Sequence, residues 1–227
     1  MGEPGLSLFL AAATGYLIGS ISFAHLVGRR IAPGADLGRS AVVLDDGFVM
    51  EYRGTSATSV RLGGHRRAGA AVGLLDIAKG AIAALLAAGW WPDVHAAEVA
   101  GVAAVVGHVY PIWHRFRGGR GVSPFLGAMA VVDWTALPVV FGGGYALGLA
   151  LGDLFMAYGG GTLLAIPWYL WRHGWGPETW FALAGNAVFV LSALPEARAW
   201  IRYRRSHPRP WRDRARQILR GFPGPER

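Results

Sequence analysis

Long apolar stretches alternate with short polar or basic segments along the 227 residues of the chain. A helix needs about 20 apolar residues to cross the ~30 Å hydrocarbon layer of a membrane. Stretches close to that length recur, and they predict membrane spans over residues 6–27, 68–91, 95–113, 154–171 and 179–194. The pattern therefore predicts an all-α, polytopic transmembrane helix bundle.

The apolar stretch over residues 122–151 is too long for one span. Asp133 and Pro138 interrupt it, and such residues within an apolar run are typical of a turn. We interpret the stretch as two short spans that turn near residues 133–135 and end at residues 152–153. The whole chain then has about seven spans, and six is the alternative.

The basic residues are concentrated in three segments that lie between or after the apolar stretches. Of the 22 lysines and arginines, seven lie within residues 29–67, three within 115–120 and ten from Arg198 onward. An excess of lysine and arginine marks the cytoplasmic side of a membrane. With seven spans and an outside N-terminus, all three segments lie in the cytoplasm. We therefore predict an N-outside, C-inside topology.

The predicted organisation is a bundle over residues 1–195, which carries a cytoplasmic loop over 28–67 and is followed by a basic cytoplasmic tail over 196–227. In the tail, Pro208 and Pro210 separate two arginine-rich stretches. One interpretation is a surface segment that binds anionic lipid headgroups. The alternative is that the tail folds back over the functional face of the bundle.

The composition restricts the possible chemistry. Hydrophobic residues make up 53% of the chain and charged residues 16%, whereas an ordinary soluble domain is about 25% charged. The chain contains no cysteine, which removes thiolate nucleophiles and cysteine metal sites. None of the seven histidines forms the HExxH pattern of a helical metal site. We expect neither a metal nor a cofactor.

The segment over residues 107–121 has the most unusual combination of residues in the chain. Glycine-rich turns at helix N-termini offer backbone N–H groups to anions, and arginine offers planar donors suited to phosphate. A basic loop that only sets the topology would explain the arginines but not the adjacent glycines. The segment therefore predicts a phosphate site that includes Arg115, Arg117, Gly118, Gly119 and Arg120.

Two charged residues, Asp76 and Lys79, lie inside the second predicted span. Residues three apart share a helix face, and charged side chains that face lipid cost several kcal/mol. Both side chains are therefore expected to point into the bundle. A structural ion pair and a substrate-binding role remain alternatives. A run of small hydroxyl residues over 54–61 could also satisfy a phosphate, although such runs are mostly ordinary turns.

Several of these segments resemble motifs of one family. The segment Gly15–Phe23 is similar to GYLxGSIPF, Leu74–Gly80 is similar to LLDxxKG, and Gly107–Val122 is similar to GHxxPxxxxFxGGKGV with Arg120 in place of lysine. Together they resemble the bacterial acyl-phosphate-dependent glycerol-3-phosphate acyltransferases over most of the chain.

The resemblance implies a multi-pass enzyme of the inner (plasma) membrane with its active face in the cytoplasm. Such an enzyme moves an acyl group from acyl phosphate to glycerol 3-phosphate, which gives lysophosphatidate for phospholipid biosynthesis. The implied partners are these two substrates and membrane lipid, without nucleic acid and without a cofactor.

Two motifs of the family are altered in this chain. The loop GSGNPGATNVLR is recognisable only over residues 54–61, after an apparent insertion over 36–51, so its serine falls on Tyr52 or, with a gap, on Ser56. In the C-terminal motif HRxNIxRLLxG, Trp211 replaces the histidine and Arg214 the asparagine, and His207 is the nearby candidate.

The resemblance thus implies a set of site residues and leaves alternatives for the activity. The implied catalytic residues are Ser56, His108 and His207, and the implied phosphate-binding residues are Thr58, Ser59, Arg61, Lys79, Arg115, Gly118, Gly119 and Arg120. The alternatives are a non-catalytic homologue that binds phospholipid or acyl phosphate, and a small transporter. Paired inverted repeats, which many transporters contain, are not recognisable in the sequence.

Overall fold

The structure is a computed structural model that describes residues 3–31, 33, 38–43, 49–208 and 210–220. This part of the chain is mainly helical, with one two-stranded hairpin. The helices are α1 (Pro4–Gly19), α2 (Phe23–Ile31), α3 (Ala57–Leu62), α4 (Arg66–Trp90), α5 (Ala96–Val109), α6 (Val122–Asp133), α7 (Ala136–Pro138), α8 (Gly144–Leu151), α9 (Leu154–Tyr158), α10 (Ala165–His173), α11 (Pro177–Ser206) and α12 (Trp211–Arg220).

Within the described ranges, four helical segments are long and apolar enough to cross a membrane. They are Pro4–Ile31, Arg66–Trp90, Ala96–His114 and Pro177–Ser206, and shorter apolar helices occupy Val122–Asp133 and Ala136–Leu151. The prediction of an all-α transmembrane bundle is confirmed. The number of seven spans and the N-outside orientation stay predictions.

The first predicted span is interrupted. Helix α1 ends at Gly19 and α2 begins at Phe23, so the intervening backbone leaves the regular helical hydrogen-bond pattern. The carbonyl oxygen of Ile21, in this break, accepts a hydrogen bond from Lys79 Nζ at 2.8 Å. Breaks of this kind are tolerated at membrane depth where protein groups satisfy the exposed backbone. The break therefore supplies a backbone acceptor for the buried ammonium group of Lys79.

The predicted interruption near residues 133–135 is present as a helix end, and the division into two spans there stays a prediction. Helix α6 ends at Asp133, whose Oδ1 accepts hydrogen bonds from Thr135 N at 3.0 Å and Thr135 Oγ1 at 2.5 Å. The chain then continues as α7, a π-helical turn over Val139–Gly143 and α8, which ends at Leu151. The side chain of Asp133 thus fixes the turn.

The span predicted over residues 154–171 is wrong as a single helix. Helix α9 stops at Tyr158, a 3₁₀ segment follows over Gly160–Leu164, and α10 begins at Ala165. Glycine loses the most backbone freedom in a helix, so a run of glycines weakens it. The glycines of this segment allow a close contact with α8. A Cβ added to Gly144 would lie only 2.6 Å from the Cα of Gly161.

Helix α11 continues beyond the predicted span end at 194 and through the predicted boundary at 195. Pro195 removes one backbone donor and crowds the carbonyl four residues earlier, but α11 continues past it, and side chains on the following turns hold the helix to the bundle. Trp200 Nε1 donates to Asp153 Oδ2 at 3.2 Å, and Arg204 forms an ion pair with the same carboxylate.

The tail folds back onto the bundle as α12. Trp211 Nε1 lies 3.1 Å from the Leu149 carbonyl oxygen and 3.0 Å from that of Ala150. Over residues 211–220 the tail thus lies against the end of α8, and its placement over the functional face stays a prediction. Residues 221–227 of the tail lie outside the described residues.

The loop over residues 28–67 contains a hairpin that the sequence did not predict. Strands β1 (Arg39–Val43) and β2 (Val49–Arg53) pair antiparallel, with Arg39 opposite Arg53 and Val43 opposite Val49. The valines in both strands favour extended structure. Of the apparent insertion over 36–51, residues 36, 37 and 44–48 lie outside the described residues.

Small residues bring the helices into close contact. A Cβ at Gly15 would overlap the backbone of Ala100, and one at Gly19 would overlap that of Ala104. Helices α1 and α5 thus approach with backbone against backbone, as small residues at four-residue spacing permit in membranes.

Gly19→Ala is expected to destabilise the protein by about 1–3 kcal/mol, because overpacking forces the two helices apart. Gly89→Ala is the matched control, because a Cβ at Gly89 would meet no heavy atom within 4 Å apart from the nearby backbone of its own helix. That control is expected to be neutral or up to about 1 kcal/mol stabilising, since alanine favours helix. Thermal unfolding in detergent measures both, and equal midpoints would contradict the predicted close contact.

Candidate active site

A buried charged cluster lies between α4, α5 and the break after α1. Asp76 Oδ1 is 2.8 Å from Lys79 Nζ, and both residues are at most 3% exposed. The Lys79 ammonium also donates to the Ile21 carbonyl and lies 5.8 Å from the centre of the Phe23 ring. The predicted inward orientation is confirmed, and each charge has a protein partner.

His108 joins this cluster from the end of α5. Its ring is buried, and Nδ1 lies 3.5 Å from Asp76 Oδ1. The other ring nitrogen, Nε2, faces Gly119, where a Cβ would overlap it. His108 therefore connects the carboxylate of Asp76 to the backbone of the glycine-rich loop.

The two loop glycines close the end of α5. Gly118 N donates to the Val109 carbonyl oxygen, and Gly119 N donates to the His108 carbonyl oxygen, both at 3.1 Å. These amides therefore satisfy helix carbonyls and do not face an anion in this arrangement. The positive end of α6 begins directly after them, with Gly121 at its N-cap in a left-handed conformation at φ 83°.

Arg120 connects the loop to α11. Its Nη2 forms an ion pair with Oε1 of Glu196, a residue that is 5% exposed. Ser192 Oγ lies 3.4 Å from the Arg120 carbonyl oxygen. The arginine of the predicted phosphate loop is thus fixed at both its side chain and its backbone.

The outer part of the loop is exposed and basic. Arg115 and Phe116 adopt left-handed backbone conformations with φ of 52° and 58°, which are uncommon for residues with side chains. The His114 ring stacks on His25 with 3.8 Å between the ring centres. Arg29, near both histidines, adds a further charge to this surface.

The serine-rich loop meets the glycine-rich loop at Gly54. This residue has φ of 121°, and a Cβ on it would overlap the Gly118 carbonyl oxygen. Ser56 caps α3 through a reciprocal pair: Ser59 N donates to Ser56 Oγ at 3.4 Å, and Ser56 N donates to Ser59 Oγ at 2.9 Å. The hydroxyls of this run thus begin a helix.

The other predicted residues of the serine-rich loop lie on or beside α3. Thr58 is exposed on the helix, and Arg61 is partly buried in its last turn. Tyr52 belongs to β2, where it pairs with Ser40, and its side chain lies outside the part that the structure describes.

His207 lies at a different place from the His108 cluster. It ends α11, where its ring stacks on Tyr203 with 4.9 Å between centres and Nδ1 lies 2.9 Å from Ser206 Oγ. His207 follows Glu196 by eleven positions, which is a rise of about 16 Å at about 1.5 Å per residue along the helix. His207 lines a cavity of about 190 Å³ together with Gly152, Leu154, Trp200, Tyr203, Arg204, Pro208 and Arg214.

The structure therefore brings Lys79, His108, Gly119 and Arg120 together, with the serine-rich loop adjacent, and places His207 elsewhere. Sequence reasoning missed Glu196 as the partner of Arg120. The available signal was an acidic residue directly after a long apolar run, which requires a partner when it is buried.

The fold and this cluster define an integral, helical membrane protein with buried charges beneath a basic, glycine-rich loop. A family model for glycerol-3-phosphate acyltransferase matches residues 9–209, and the chain belongs to that family. A glycerol-3-phosphate acyltransferase from Anaeromyxobacter sp. (strain Fw109-5) is 34% identical over 211 residues, which cover 89% of this chain and 96% of the relative.

Another relative is similar in sequence over a shorter part of the chain, and solved structures are similar in fold. A glycerol-3-phosphate acyltransferase from Cereibacter sphaeroides (strain ATCC 17025 / ATH 2.4.3) is 40% identical over 57% of this chain and 56% of the relative. Crystal structures of PlsY, an integral membrane glycerol 3-phosphate acyltransferase, share the fold. Its glycerol 3-phosphate form has a TM-score of 0.70 and 24% identity over 87% of this chain and 94% of that chain.

Proposed function

We propose that this protein transfers an acyl group from acyl phosphate to glycerol 3-phosphate, which gives lysophosphatidate and inorganic phosphate. The observation that carries the proposal is the family match over residues 9–209. The convergence of the glycine-rich loop, the serine-rich loop and the Asp76–Lys79–His108 cluster supports it.

Acyl phosphate is already an activated acyl donor, so the proposed reaction mainly requires that the two substrates are held in position. The acceptor hydroxyl attacks the acyl carbonyl carbon, the bond from that carbon to the phosphate oxygen breaks, and the hydroxyl proton ends on the departing phosphate. Both substrates are anions, so Arg120, the exposed Arg115 and the N-terminus of α6 are the proposed binding groups. Fixed donors of this kind stabilise negative charge that develops on the carbonyl oxygen.

His108 is proposed to act within this site as the residue that holds the loop. The Gly119 amide donates to its backbone, and its ring separates Gly119 from the Asp76 carboxylate. The site of reaction is proposed to lie at the cytoplasmic face of the inner membrane. The meeting of the two basic loops at Gly54 and Gly118 supports a single basic face, beside which the hydrocarbon chain of the acyl phosphate would lie in the membrane lipid.

Purified protein in lipid vesicles tests the activity. Given acyl phosphate and glycerol 3-phosphate, it is expected to form lysophosphatidate and release phosphate in equal amounts, measured by mass spectrometry and a phosphate assay. The separate location of His207 and the capping role of Ser56 favour a second candidate, a homologue that binds these substrates without turnover. Substrate binding with no product above a no-enzyme control would establish that candidate.

Arg120→Ala is expected to weaken the binding of glycerol 3-phosphate or inorganic phosphate roughly tenfold to a hundredfold, because one charge-assisted hydrogen bond contributes about 1.5–3 kcal/mol. Arg120→Lys, which keeps the charge, should retain most of the affinity. Calorimetric titration measures both variants, with the exposed Arg212→Ala as control. Unchanged affinity of Arg120→Ala would remove Arg120 from the site.

A further inference from the structure

Helix α11 holds residue 120 by two contacts from one of its faces. Glu196 Oε1 forms the ion pair with the Arg120 guanidinium, and Ser192, one turn earlier, contacts the Arg120 backbone carbonyl. Residues four apart lie on the same side of a helix. Because the Gly119 amide donates to the His108 carbonyl at the end of α5, the segment at Arg120 is held by both α5 and α11.

The Glu196 carboxylate is not satisfied by this ion pair alone. Its second oxygen, Oε2, is buried without a hydrogen-bond partner among the residues that the structure describes. Buried polar atoms in proteins nearly always have a partner, so an exception needs an explanation. A buried ion pair is also weak evidence of a stabilising role.

The geometry is suited to prearranging an arginine for a phosphate. A guanidinium has five N–H donors in a planar fork, so it can bind a carboxylate and a phosphate at the same time. The Arg120 side chain is 29% exposed, whereas that of Glu196 is 5% exposed. Glu196 therefore lies inside the bundle, and the arginine that it holds lies nearer the surface. An arginine that is already fixed loses less freedom when a ligand binds.

We propose that Glu196 is a positioning residue that holds Arg120 for the phosphate group of a substrate. This inference rests on the proposed acyltransferase function. The phosphate belongs either to glycerol 3-phosphate or to the acyl phosphate, because both present the same chemistry to a guanidinium.

Steady-state kinetics of Glu196→Gln test the proposal, since glutamine keeps the shape and loses the charge. With each substrate varied at saturation of the other, the KM of one of them is expected to rise about tenfold while kcat stays within about twofold, which is the pattern of lost substrate binding. The substrate whose KM rises identifies the phosphate that Arg120 binds. Unchanged KM values for both substrates would overturn the proposal.

A double variant separates positioning from a purely structural role. If Glu196 acts through Arg120, then adding Glu196→Gln to Arg120→Ala should change the KM by less than about twofold, because coupled residues are not additive. If the KM increase in the double variant equalled the product of the increases in the two single variants, the proposal would be overturned.

Asp133→Asn is the matched control, because Asp133 is also buried and its Oδ2 lies 2.9 Å from Arg172 Nε, at the turn before α7. It should leave both KM values unchanged. Titration of each folded variant with inorganic phosphate keeps the test independent of turnover. Inactive wild-type protein would refute the proposed function, whereas active wild-type protein with an unaltered Glu196→Gln variant would refute only the positioning role.

Discussion

Replacing Asp76 with alanine is expected to destabilise the folded protein by about 3–5 kcal/mol, the cost of breaking a buried ion pair from one side. Asp76 and Lys79 are 2% and 3% exposed, with 2.8 Å between Oδ1 and Nζ. Without the carboxylate, the Lys79 ammonium would remain inside the bundle against the Ile21 carbonyl. Thermal unfolding in detergent, followed by circular dichroism, measures the loss.

The double variant Asp76→Leu with Lys79→Met removes both charges and fills the space with apolar groups. Most of the stability should return, because replacement of a whole buried pair is often neutral. Acyl transfer should stay low, since His108 Nδ1 would still lack the carboxylate that lies 3.5 Å away. Recovery of stability and activity together would show that the pair is only structural, and would remove Lys79 from the predicted site.

The pair between His95 and Glu98 supplies the control for this experiment. Its Nδ1 and Oε1 atoms are also 3.5 Å apart, but the His95 side chain is 64% exposed. Surface pairs contribute about 0–1 kcal/mol. Glu98→Ala is therefore expected to change the stability by less than about 1 kcal/mol. A larger loss would contradict the expectation that the buried Asp76–Lys79 pair contributes more to stability than the exposed His95–Glu98 pair.

The sequence predicted the helices better than their interruptions. Hydropathy places α4 and the turn at Asp133 closely, because apolar length and a polar interruption are both local properties. The break between Gly19 and Phe23 could not be predicted in this way. Its stability depends on the Lys79 ammonium, which lies 58 positions away from Ile21 in the chain and reaches the carbonyl of that residue.

The same limit applies to the candidate site. The spacing of Asp76 and Lys79 predicted a shared helix face, and the structure confirms it. The contact of Asp76 with His108 depends on how α4 packs on α5, and that of Arg120 with Glu196 depends on α11. Pairs between distant helices are set by packing, which periodicity in one segment does not encode.

Ser56 illustrates a signal that had two interpretations. A serine followed three residues later by a second polar side chain is typical of a helix N-terminus, and Ser56 and Ser59 form such a cap. The same run of hydroxyls matched a family motif, which favoured a catalytic interpretation. Capping satisfies these hydroxyls locally, and it also places the loop against Gly118 through Gly54.

Gly119→Ala is expected to lower kcat/KM for acyl transfer about a hundredfold or more, because displacement of catalytic groups by ~1 Å is enough for such a loss. A Cβ at this position would overlap His108 Nε2. Either the ring leaves Asp76 or the loop moves outward with Arg120. Gly73→Ala is the matched control, since its Cβ would make an ordinary contact, 3.7 Å from the Ala57 Cβ. Equal activity of the two variants would contradict a tight loop.

Combining Gly119→Ala with His108→Ala distinguishes what the histidine contributes. The overlap should also lower the stability of Gly119→Ala. The smaller side chain in the double variant makes room for the new methyl group, so thermal unfolding should show that most of this stability is regained. Activity should not return, because the loop would have lost the ring that holds it over Asp76. If activity returned as well, the overlap alone would explain the defect of Gly119→Ala, and the imidazole of His108 would have no part in the reaction.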